Sequence, residues 1–152
     1  MIISKPKLVL NPYEWLPGYG ESKVSFRSEG ANVLLGIECE REVLDADGNE
    51  NILSLAREIC FKRVNAFVKT LFPGSAIFEF EGELGEFRLG ELTEFTQSEW
   101  VRSGLSSWRS KSSHSPPTIR HFSIQFMSEN LAFHILAEGV FLSDERSNDC
   151  PQ

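Results

Sequence analysis

The chain has few cysteines, no long apolar run and no excess of positive charge, and each shortage removes a class of function. Cys39, Cys60 and Cys150 are odd in number, far apart and without C-x-x-C spacing. That argues against a disulfide framework and a zinc site, and for a reducing cytoplasm. No stretch approaches 18 apolar residues, so no membrane-spanning helix is expected. The start, "MIISKPKLVLNPYEW", loses its apolar character at Ser4, Lys5, Pro6 and Lys7, so no signal peptide is expected either. Acidic residues outnumber basic ones 22 to 15, a net charge of −7. This balance disfavours nucleic acid and anionic lipid and favours a basic protein partner. Phosphate-binding and dinucleotide loops are missing, since Gly18 and Gly20 have neither the spacing nor the strand-to-helix setting. There is no G-x-S-x-G elbow for a nucleophile. No cofactor and no metal are expected.

What is present is a Phe-rich globular chain: 12 Phe and 3 Trp in 152 residues, enough for one domain over 1–142 with a polar tail over 143–152. "NPYEWLPGYGE" reads as a loop whose Tyr13, Trp15 and Tyr19 anchor it to the core. "KVSFRS" and "NVLLGIECE" alternate as strands. "DADGNEN" resembles a calcium loop in composition, but its glycine is fourth instead of sixth and Ala56 stands where a bidentate Glu is needed. A hairpin turn at Asp47-Gly48 accounts for it more simply. The periodicity of residues 52–71 slightly prefers a helical stripe, but their β-branched and aromatic content pulls the other way, to a strand from Arg57 to Phe72 with a bulge at Lys62-Arg63. Residues 76–95 suggest two short strands with glycine bends. One helix is expected over 97–109, with Thr96 and Glu99 at capping-box spacing, followed by a polar loop over 109–118. The fold class is therefore mainly β, an antiparallel sandwich or half-open barrel with one principal helix.

Two of the three histidines lie in "RHFSIQFMSENLAFHILAEGV". Phe122, Ile124 and Phe126 share one strand face and Phe133, Ile135 and Ala137 one face of the next, so a turn centred on Glu129-Asn130 would pair Phe126 with Phe133 and bury both faces together. That register sets His121 opposite Glu138 and His134 opposite Gln125, with the two histidines roughly 13 Å apart at about 3.3 Å per residue. They would then share no metal. His121 beside Glu138, with Arg120 near, is a candidate general base, although a charge pair on a solvated face has the same pattern. His114, in "SSHSPP", builds no triad from its serine neighbours. Replacing His121 or His134 by Ala is expected to leave activity or partner affinity within a few-fold.

Glu79, Glu81, Glu83, Glu86, Glu91 and Glu94 form an acidic series. The strand order, the "SEW" helix start, the polar loop and the final hairpin resemble small bacterial β-rich proteins, some of them immunity proteins of toxin systems. The resemblance spans residues 57–142 and carries over no functional residues. Together these features point to a noncatalytic acidic binding protein with Glu79, Glu81, Glu83 and Glu86 facing a basic partner, neutralisation of a basic toxin being the sharpest form. The alternative is a small-molecule-binding β domain or enzyme with a pocket near His121 and Glu138. A filled core would favour the first, a deep cavity faced by both residues the second.

Overall fold

A computed structural model describes residues 1–11, 23–72, 77–83, 85, 86, 88–111 and 114–147. The anchors Tyr13, Trp15 and Tyr19 lie outside the described residues, as do 148–152. The elements run β1 (Ile2–Leu10), β2 (Lys23–Glu29), β3 (Asn32–Leu44), β4 (Glu50–Lys62), β5 (Ala66–Leu71), β6 (Glu79–Phe80), β7 (Leu92–Ser98), α1 (Glu99–Lys111), β8 (Arg120–Phe126), β9 (Leu131–Ala137), β10 (Gly139–Leu142) and β11 (Arg146–Ser147). Two sheets form: a curled one of order β5-β9-β8-β7-β1-β6, and a second of order β10-β4-β3-β2 with β11 also on β4. All pairings are antiparallel except β1 with β6. The fold is thus the expected mainly β sandwich, with one α-helix among the described residues.

Period-two alternation builds the core. Leu35, Ile37, Cys39, Leu55, Ile59 and Phe61 of the second sheet meet Phe122, Ile124, Phe126, Phe133 and Ile135 of the first, all buried. Phe61 crosses the interface to Phe122 with ring centroids 5.9 Å apart, and Phe26 stacks on Phe67 at 4.6 Å where β2 overlies β5.

The ambiguous stretch over 52–71 is strand, as its composition indicates, but it makes two strands in different sheets instead of one. Arg63, at φ +50°, breaks it. Its N–H donates to Asn32 Oδ1, Val64 N–H to the Ala31 carbonyl, and Asn65 N–H to the Leu136 carbonyl, so the chain crosses between layers at this point. The Asp45 turn is a hairpin end with Gly48 at φ +80°, as the simpler reading of "DADGNEN" requires. Asp45 Oδ1 accepts from the N–H groups of Asp47 and Asn49, so the carboxylate serves the turn itself.

β1 is a strand although Pro6 cannot donate to a ladder. It is tolerated because β6 pairs only with Ile2 and Ile3, which leaves Pro6 on an edge opposite Phe95. Residues 143–147, within the stretch expected to be a tail, lie along β4. Ser143 N–H donates to the Glu58 carbonyl, Arg57 donates to the Ser143 carbonyl at 2.9 and 3.0 Å, and Arg146 pairs with Glu58. No helix among the described residues is long and apolar enough to cross a membrane.

Candidate functional site

The β8–β9 hairpin corrects the expected register by two residues. A single 3-10 turn over Met127–Glu129, closed by Asn130 at φ +54°, pairs Phe126 with Leu131, Ile124 with Phe133 and Phe122 with Ile135. His121 stands opposite Leu136 and His134 opposite Ser123, so the two histidines are diagonal neighbours. Instead of lying roughly 13 Å apart, His121 Nε2 and His134 Nδ1 are 2.9 Å apart.

Their face of the sheet is also roofed, not solvated. Phe78, Phe95 and Trp100 surround His121 with ring centroids 5.0, 5.6 and 5.2 Å away, and Phe78 stacks on His134 at 4.1 Å. A buried polar layer results, containing Thr93, Ser98, His121, Ser123 and Gln125. Ser98 links the layer to the helix. It caps α1 by accepting the Val101 N–H at 3.3 Å, and its Oγ lies 2.8 Å from His121 Nδ1. Thr96, the residue expected to cap, instead donates to the Lys5 carbonyl, and Glu99 accepts the Ile2 N–H.

Two orientations of one relay satisfy these bonds. With Ser98 donating to His121 Nδ1, both rings are Nε2–H tautomers and His121 donates to His134 Nδ1; with His134 Nδ1–H donating to His121 Nε2, His121 carries its proton on Nδ1 and donates to Ser98 Oγ, whose second lone pair serves Val101. In both, one neutral imidazole donates to the other. Burial depresses both pKa values, His121 to about 3 with the charge of His134 adding to the effect, and His134 to about 4. Among the described residues no carboxylate joins this relay to stabilise an imidazolium, so the pair is neutral and poorly suited to general-base work.

The relay ends at a small pocket of about 110 Å³ lined by His134, Thr70, Phe72, Phe78, Leu89 and Gln125. Gln125 is already engaged, accepting from Gly90 N–H and donating to Ser123 Oγ. Glu138 faces elsewhere, 3.4 Å from Arg63, on an open groove of about 240 Å³ with Trp108 and Thr118 in its wall. Arg120 forms a bidentate pair with Glu94 at 2.6 and 3.0 Å. The residues expected to gather near His121 are therefore dispersed, while Ser98 and His134, which alternation alone could not bring to it, are its partners.

The expected partner-binding carboxylates are placed differently. Glu79, Glu81, Glu83 and Glu86 are all exposed, and none forms an ion pair with a described residue. Glu86 Oε1 accepts the Glu83 N–H at 3.2 Å, which folds this short stretch on itself. Glu91, in contrast, is buried, and Glu94 is committed to Arg120. Among the described residues no group of three or more His, Cys, Asp or Glu side chains is arranged to hold a metal ion. Comparison with protein-family models, with curated proteins and with solved structures returns no match.

Proposed function

We propose that this chain is a noncatalytic acidic binding protein acting in the cytoplasm, its partner a basic protein, and neutralisation of a basic toxin the sharpest form of that role. One observation carries the reading. Glu29, Glu58, Glu94, Glu138 and Glu145 each hold an arginine, whereas Glu79, Glu81, Glu83 and Glu86 stand exposed and outside any ion pair with a described residue. Unpaired, solvent-facing carboxylates raise the rate of encounter with a cationic surface without being needed for the fold. The dispersal of His121 and Glu138 supports the same reading against a catalytic one.

A second reading, a small-molecule site, draws on the relay from Ser98 through His121 to His134 at the pocket of about 110 Å³. Co-purification from the native host with mass spectrometry separates the two. A stoichiometric basic protein, whose association slows steeply with salt and slows roughly tenfold more in the Glu81→Lys/Glu83→Lys/Glu86→Lys variant, is the expected result. A monomer carrying a bound small molecule, or a partner whose association ignores ionic strength, would count against it.

A further inference from the structure

The β3–β4 hairpin is longer than the sandwich needs. Both strands have 13 residues, against a usual length of about 5–6. β2 pairs with β3 only from Asn32 to Glu38, while β10 and β11 reach along β4 only as far as Leu55. Residues 39–44 and 50–54 therefore continue as a two-stranded ribbon with no further strand on either edge among the described residues.

Alternation sorts the ribbon's side chains. On the inner face Cys39 is buried, Leu53 packs against the core, and Arg41 is held bidentately by Glu145 at 2.8 and 3.1 Å. On the outer face β3 presents Glu38, Glu40, Glu42 and Leu44, and β4 presents Glu50, Ile52 and Ser54. Those four glutamates are exposed, and none forms an ion pair with a described residue. Leu44 and Ile52 are 72% and 65% exposed. The register, Leu44 with Glu50 and Glu42 with Ile52, makes the two apolar side chains diagonal neighbours, within about 7–8 Å. They form one small apolar patch flanked by a row of carboxylates repeating about every 7 Å along the strand.

We infer that this outer face is the docking surface for the basic partner, with Leu44 and Ile52 as its apolar anchors and Glu38, Glu40, Glu42 and Glu50 as its charge match. The inference rests on the proposed binding role and adds where it is exercised and what the partner must carry: lysine or arginine side chains around exposed aliphatic groups. Charge complementarity selects that occupant, because carboxylates at this spacing repel phosphates and anionic headgroups. The apolar pair supplies what charge alone does not, slow dissociation through water-excluded contact. The Asp45 turn, with Asn51 Nδ2 donating to its second carboxylate oxygen at 3.1 Å, holds the ribbon in shape before binding and limits the ordering cost.

The test titrates the isotope-labelled chain with an octapeptide alternating lysine and leucine, and with its lysine–serine counterpart, at about 0.15 M salt. Backbone amide shifts centred on residues 38–44 and 50–54, roughly tenfold weaker binding of the serine peptide, and a similar loss in Leu44→Ser/Ile52→Ser and in Glu40→Lys/Glu42→Lys would support the surface. Shifts centred on residues 79–86 and insensitive to those variants would overturn it while leaving the basic-partner role standing. No saturable binding of either peptide would overturn both.

Discussion

His121 has a hydrogen bond at each ring nitrogen and no exposure to solvent, so its protonation state is tied to folding. Protonating both rings would set the Nδ1–H of His134 against the Nε2–H of His121, two donors face to face. In the folded chain the two histidines titrate at about 4 and about 3, below their ordinary value of 6.5. The unfolded chain therefore binds more protons throughout that window. The pair's contribution to stability is complete above pH 6.5, declines as the pH falls below it, and is lost by about pH 3. Replacing His134 by Phe should flatten the acid limb of a stability-against-pH curve by on the order of 2–3 kcal/mol between about pH 6.5 and 4. An unchanged limb in equilibrium urea unfolding would mean that other groups set the acid sensitivity. Above pH 7, His121→Ala should cost roughly 2–4 kcal/mol, because Ser98 and His134 each lose a buried partner and a cavity opens beneath Trp100.

At the scale of the element, the β8–β9 hairpin serves two layers at once. Its inner face carries Phe122, Phe126 and Phe133, and its outer face the polar residues under α1. Phe126, buried and edge-on to Phe133 at 5.8 Å, is the residue whose truncation tests the inner layer. Phe126→Ala should destabilise by about 3–5 kcal/mol in denaturant unfolding with little change in the slope. The sequence tells which face of this hairpin is buried but not its register. The expected and observed pairings differ by two residues, and a shift of two keeps every phenylalanine on the same face, so the apolar pattern cannot choose between them. The turn chooses, through Asn130 in a left-handed conformation that a β-branched residue would resist. The roof over the outer face was hidden for a related reason: His121, Ser123 and Gln125 alternate with apolar residues as a solvated face would. The helix itself is legible to within two residues at each end, yet the capping-box spacing of Thr96 and Glu99 points to the wrong cap, since Ser98 caps without a box. The acidic face of β3 is masked in the same way, since "ECERE" places its one cation between carboxylates in sequence while alternation sends it to the other side.

At the scale of the whole molecule, the β2–β3–β4 meander of the second sheet is local and joined by short turns, whereas β10 and β11 reach β4 from late in the chain and the first sheet pairs β1 with β7 and β5 with β9. Such non-local pairing is completed late in folding. β1 lies between β7 and β6 and pairs with β7 along most of its length, from Leu10 with Leu92 to Ile3 with Ser98, partners 82 to 95 residues apart. On a ribosome adding about 5–20 residues per second, that is roughly 4–19 s during which β1 exists without β7. A strand reading Ile-Ile and Leu-Val-Leu, alone and extended for so long, is a template for sticking to other chains. The triplet Lys5-Pro6-Lys7 divides those two apolar runs and so acts as a safeguard during the wait. Replacing it by three valines should raise aggregation on dilution from denaturant, read by light scattering, far more than it alters the melting temperature of whatever refolds. If scattering is unchanged, the proline in the middle of β1 has some other purpose; if it rises, a residue that weakens the finished sheet is there for the sake of the unfinished one.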